Sequence, residues 1–324
     1  PEELRSITHI SIVACGSAYH VGVVGTYVLE KLLRLPVEVD YASEFRYRAP
    51  VIDSHTLCMI ISQSGETADT LAALREANAA GAHTVAIVNV VGSTIANESQ
   101  SVLYTWAGPE IAVATTKAYS TQLALIYAFG LFMADTLGAI DSDVYHTYVQ
   151  ALIGLPAQIK EVLKLEPQIS GLAQRYAYLK DAYFIGRNID YAVALEGSLK
   201  LKEISYIHSE AYPAGELKHG TISLIEEGTF VMSILCTDSI VDKTISNMKE
   251  VRARGAEVLA LTTDDYTARV RAESDNVIAI PSYCPLFMAS LEVVPLQLLS
   301  YHIAKARHCD IDKPRNLAKS VTVE

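Results

Sequence analysis

One βα pattern, run through twice, constrains this chain more than any other feature of its sequence. Ile12-Val13-Ala14-Cys15-Gly16, followed by a helical pattern to Leu33, matches Tyr183-Phe184-Ile185-Gly186, followed by a helical pattern to Ile207. Leu57–Ser62 matches Phe230–Leu235 as a buried strand, and Ala80–Ile87 matches Arg254–Leu261 as helix end, turn and strand. Late in each half, Gln122–Tyr127 corresponds to Gln297–His302. Short apolar runs alternating with longer amphipathic segments predict βαβ units on a parallel sheet. Strands apolar along their whole length, such as Val85–Val88, predict helices on both faces. The expected fold is α/β, with two repeated domains, each a parallel sheet flanked by helices in a flavodoxin-like or Rossmann-like three-layer sandwich. The expected boundaries are 1–147 for the first domain, 148–180 for a helical connection punctuated by Pro156 and Pro167, 181–309 for the second domain, and 310–324 for a C-terminal tail.

In such sheets ligands bind outside the carboxyl ends of the strands. There the first half carries Ser62-Gln63-Ser64-Gly65-Glu66-Thr67, after the strand run Leu57–Ile61 and before a helical pattern that continues to Ala80. Hydroxyls, a glycine and a helix N-terminus converge in this hexapeptide. The first helical N–H groups lack internal partners and the helix dipole favours an anion, so the stretch suits a phosphate. The plainer alternative is a helix cap. The second copy has Cys236-Thr237-Asp238-Ser239 at this place, without the glycine and with an acid, Asp238, where an anion would approach. One phosphate site, in the first half, is expected.

Composition narrows the partner classes. A net charge of −11 argues against a nucleic-acid backbone, which needs a basic surface. The 324 residues, half of them hydrophobic and 19% charged, are ordinary for a soluble globular enzyme. The five cysteines, Cys15, Cys58, Cys236, Cys284 and Cys309, read as reduced cytosolic thiols, not a disulfide framework or a metal site. The longest uncharged apolar run, Leu123 to Ala134, is shorter than the roughly 20 residues that span a bilayer, so no membrane is expected. No signal peptide is evident, and a cytoplasmic location is expected. The chain opens Pro1-Glu2-Glu3 without an initiator Met, the expectation for an excised domain.

Three further segments carry chemistry. In the helix Leu195–Tyr206, Lys200 and Glu203 share a face and Glu196 lies one turn earlier. In a pocket the carboxylate serves as a general base and the lysine supports an anionic intermediate. On a solvated face the same pair is a weak ion pair. The segment His208–Gly220 mixes His, Glu and Lys with Gly and Pro, as active-site loops do, and His219 is an acid–base candidate or simply polar surface. The tail Asp310–Glu324 reads as a polar end that frays unless it folds back and carries Lys319 with it. No H-x-x-H or C-x-x-C spacing points to a metal.

With these residues in view, Ser62–Leu71 closely resembles the phosphosugar-binding signature of the sugar isomerase (SIS) domain family. Ala42-Ser43-Glu44-Phe45-Arg46-Tyr47-Arg48, Leu199–Ile207, Gly215–Gly220 and Pro314–Glu324 resemble the isomerase half of the glucosamine-6-phosphate synthase family, and the likeness runs over essentially the whole chain. The resemblance implies conversion of fructose 6-phosphate to glucosamine 6-phosphate, with ammonia delivered by a glutaminase domain absent from this chain. It implies that Ser62, Gln63, Ser64 and Thr67 hold the sugar phosphate, and that Ser17, Val113 and Ala318 line the sugar site. Glu203 is implied as the base moving a proton between C1 and C2, with Lys200 beside it. His219 is implied as the ring-opening group, supplied across a homodimer, and Lys319 as the lysine forming a Schiff base with the open-chain ketose. No cofactor or metal is implied. The family commonly has Cys-Gly-Thr-Ser-Tyr where this chain has Cys15-Gly16-Ser17-Ala18-Tyr19, so Ala18 lacks a ligand-contacting hydroxyl. Two other readings share parts of this pattern: an amino-sugar phosphate deglycase or isomerase, and a non-catalytic phosphosugar sensor.

Overall fold

The computed structural model describes residues Glu2–Thr322. After a short α1 (Glu2–Ser6), the first half runs β1 (His9–Ala14), α2 (Ser17–Leu33), β2 (Val37–Tyr41), α3 (Ala42–Phe45), β3 (Thr56–Ser62), α4 (Ala68–Ala79), β4 (His83–Val88), α5 (Thr94–Glu98), β5 (Ser101–Tyr104) and α6 (Lys117–Leu137). Helices α7 (Ser142–Leu163) and α8 (Glu166–Tyr176) follow. The second half runs β6 (Asp181–Gly186), α9 (Ile189–Ser205), β7 (His208–Pro213), β8 (Phe230–Leu235), α10 (Val241–Arg252), β9 (Glu257–Thr263), α11 (Thr267–Arg271), β10 (Asn276–Ile280) and α12 (Met288–Ala306). The chain divides into two compact units: one comprises the chain up to Ile153 together with the tail from Ala318, the other Gly154–Leu317.

Both sheets are five-stranded and parallel throughout. The first has the order β2-β1-β3-β4-β5; the second, read from its other edge, is β7-β6-β8-β9-β10, the same topology strand for strand. The expected repeat of a helix-covered parallel sheet is the observed one. β3 and β8 are buried at every residue, which is why both read as unbroken apolar runs. Core side chains such as Val13, Phe45, Ile60 and Leu74 fill one face of the first sheet, and Ile185, Leu217, Val231 and Met248 fill the equivalent part of the second. Close helix packing repeats as well: a Cβ on Gly25 would lie 3.1 Å from Ile12 Cδ1, and one on Gly197 2.7 Å from Leu296 Cδ1.

One sequence expectation needs correction. Pro156 does not punctuate the connection but lies inside α7, whereas Pro167 stands at the start of α8 as expected. Helix α6 continues through Ser120, Thr121 and Gln122, so by length and composition alone its 21 residues suffice to cross a membrane. Tyr119, Leu123, Ile126, Tyr127 and Leu131 are nevertheless buried within the first unit, as in a core helix. All five cysteines are free thiols.

Candidate active site

In the first unit the order of strands reverses between β1 and β3, and the loops leaving their carboxyl ends bound the crevice where ligands of such sheets sit. Ser17 opens α2 on one side and is buried. On the other side Ser62 ends β3 and Thr67 precedes α4 in an extended conformation. The hexapeptide is organised by its own hydroxyls. Ser62 Oγ accepts from Gly65 N at 3.0 Å and lies 3.4 Å from Thr67 Oγ1, while Ser64 Oγ accepts from Glu66 N at 3.2 Å. Gly65 has φ +68°, and a Cβ there would fall 2.1 Å from Ser93 Oγ. Conformation and contact both demand glycine. The one acid of the loop is turned away: Glu66 takes Thr94 N at 2.7 Å and Thr94 Oγ1 at 2.8 Å, capping α5. The one carboxylate of the loop is thus engaged by the start of α5.

The tail does not fray from this loop. Val321 O accepts from Ala68 N at 3.1 Å, taking one of the first N–H groups of α4, and Ser320 Oγ lies 3.1 Å from Ser64 Oγ. Lys319 Nζ donates to Ala112 O at 2.7 Å and stands 3.3 Å from Glu110 Oε2. Glu110, with only 5% of its side chain exposed, also accepts from Thr116 N at 2.8 Å. The segment containing Val113 is therefore tied to the tail lysine through Glu110, a residue that sequence reading did not single out. Its signal was there: a lone acid in an uncharged stretch ahead of a long helix. Ala318 is exposed and Val113 half-buried.

In the second unit, α9 brings Glu196, Lys200 and Glu203 together at helical spacing. Lys200 is 2% exposed and Glu196 fully buried, whereas Glu203 keeps 20% of its side chain accessible. Lys200 Nζ hydrogen-bonds Glu203 Oε2 and lies 3.5 Å from Glu196 Oε1. Burial opposes the ammonium charge, but the two carboxylates overcome it and raise Lys200 above the ordinary lysine value. The solvated ion pair is thereby excluded: this is a buried cation between two carboxylates, one of them reachable from outside. His219 lies exposed at the end of the short 3-10 helix Glu216–His219. Asp238 accepts from the Tyr266 hydroxyl. Among the described residues no cluster of His, Cys, Asp or Glu suits a metal ion.

The SIS domain profile matches residues 3–131 and again 178–306, and the chain belongs to the SIS domain family, with two copies in tandem. At higher resolution, it is 53% identical over 323 residues to the isomerizing glutamine–fructose-6-phosphate aminotransferase of Clostridium tetani, and 53% identical to that of Clostridium acetobutylicum. These matches cover all of this chain but 53% of each relative, so the chain spans about half their length. The C-terminal domain of glucosamine-fructose-6-phosphate aminotransferase from Francisella tularensis superposes with a TM-score of 0.93 at 38% identity, covering 97% of this chain and 89% of that one.

Proposed function

We propose that this chain is the isomerase part of a glucosamine-6-phosphate synthase, acting on fructose 6-phosphate, with ammonia supplied by a glutaminase domain outside it. The observation that carries the reading is the buried Lys200 held between Glu196 and Glu203. An ion pair so placed is costly to bury and stabilises little, which favours a catalytic use. Support also comes from the anion-suited loop Ser62–Thr67 and from the names of the relatives above.

The roles follow from the chemistry. Ser62, Gln63, Ser64 and Thr67 hold the phosphate, a remote handle whose binding energy positions C1 and C2. Ser17, Val113 and Ala318 line the sugar. His219, from the second copy of a homodimer, opens the ring by proton transfer. The Lys319 amine, aimed by Glu110 and the Ala112 carbonyl, adds to the C2 carbonyl with loss of water, and ammonia then displaces it, leaving the free lysine amine and a C2 imine of the open-chain sugar. Glu203 takes the proton from one carbon and returns it to the other, while the Lys200 charge stabilises the enolic oxygen that develops between the two steps.

Alone, the chain interconverts fructose 6-phosphate and glucose 6-phosphate slowly, because proton transfer needs no ammonia. Glu203→Gln lowers that rate by about 10²–10⁴-fold, read as glucose 6-phosphate formed in a coupled dehydrogenase assay. A parent without aldose product, or a variant as fast as the parent, removes this reading.

A further inference from the structure

The second unit shows what the anion crevice of the first looks like when a protein group fills it. Gly16 and Asn188 hold nearly the same backbone conformation, φ 57°, ψ −131° and φ 55°, ψ −132°, each directly before a 17-residue helix. A side chain tolerates that region poorly, so its recurrence at Asn188 sets the register between the halves. In that register Ala18 falls where Asp190 stands. Strand pairing agrees: Val13 lies beside Ile60 and Ile185 beside Ser233, which sets Gln63 and Ser64 opposite Cys236 and Thr237.

In the second unit those donors are taken. Cys236 N and Thr237 N donate to Asp190 Oδ2 at 3.1 and 3.2 Å, and Thr237 Oγ1 donates to Asp190 Oδ1 at 2.6 Å. Asp190 is fully buried. Two backbone N–H groups and a hydroxyl closing on one carboxylate reproduce the bonding that a phosphate oxygen would meet at Gln63 and Ser64. We propose that this single position decides which half takes the phosphate. Asp190 supplies an internal carboxylate to the strand-end donors of the second half, and Ala18 leaves their first-half counterparts available to the ligand. The inference deepens the phosphosugar reading and rests on it.

A second position points the same way. Aligning Gln297 with Gln122 sets Glu292 of α12 opposite Lys117, the first residue of α6. Glu292 is fully buried, and among the described residues neither of its oxygens has a hydrogen-bond partner. Burial above all, with the nearby Asp190 charge, raises it well above the ordinary carboxyl range. A second carboxyl group thus stands near Asp190 in the second unit, and the Asp190 carboxylate repels an incoming anion.

Calorimetric titration with fructose 6-phosphate tests this on the whole chain. The parent binds one equivalent, Ala18→Ser binds within about threefold of it, and Ala18→Asp binds roughly a hundredfold more weakly. Ala18→Asp keeps its thermal midpoint, because an acid in the first turn of α2 suits the helix dipole. A second arm does not depend on that variant: Asp190→Ala combined with Glu292→Gln opens the second crevice, and inorganic phosphate then titrates two sites per chain. Parent-like affinity in Ala18→Asp, or a single phosphate site in the double variant, overturns the proposal. A parent that takes no fructose 6-phosphate overturns the phosphosugar reading instead, and the phosphate arm still decides this one.

Discussion

Gly65 concentrates two constraints on one residue. Its φ of +68° suits glycine, and the space a Cβ would need is occupied by Ser93 Oγ at 2.1 Å and Ser93 Cβ at 2.5 Å. Gly65→Ala must push Ser93 aside at the start of α5, and its main chain accepts from Ile95 N at 3.0 Å, so the shift reaches both loops of the crevice. The expected loss of stability is roughly 1–3 kcal/mol, measured by urea unfolding. Fructose 6-phosphate affinity is expected to fall about tenfold or more. Unchanged affinity in a folded variant would show that the loop tolerates a different path.

At the scale of the element, α12 explains why a glutamate is trapped in a core. The helix is buried on nearly every side, from Met288 through Ala304, so a carboxyl at position 292 has no route to water. An unfolded glutamate ionises near pH 4.3; in the fold, burial holds Glu292 well above the carboxyl range. The folded chain keeps a proton that the unfolded chain has released. Its contribution is therefore fully present below about pH 4 and lost as pH rises, at about 1.4 kcal/mol per pH unit until the folded group ionises. Glu292→Gln removes this slope. Relative to the parent, the variant therefore gains stability as pH rises above about 4, read from urea unfolding at matched pH values. A gain that does not change with pH would contradict the buried, protonated state.

Across the whole molecule, the last residues belong to the unit that begins the chain. Lys319, Ser320 and Val321 reach Glu110, Ser64 and Ala68, contacts made across most of the sequence. A chain ending at Leu317 keeps the first sheet and its core, so its thermal midpoint drops only by about 2–4 °C. Its fructose 6-phosphate affinity falls about tenfold or more, because a partner of Ser64 and the Lys319 amine are gone; equal affinity would make the strap irrelevant to binding. The repeat, the parallel sheets and the strand-end position of Ser62–Thr67 were all legible beforehand, because apolar runs and the residues that end them are local signals. The spacing of Lys200 and Glu203 was legible too, but not their burial, which depends on what packs against α9. The buried placements of Asp190 and Glu292 were not legible, because a carboxylate inside an α/β core looks in sequence like any polar residue in a helix. The linear order of side chains determined the two folds and their chemical inventory through periodicity and turn chemistry. Only tertiary structure decided which acid meets which donor, since that depends on residues far apart in the chain being fixed within hydrogen-bond range.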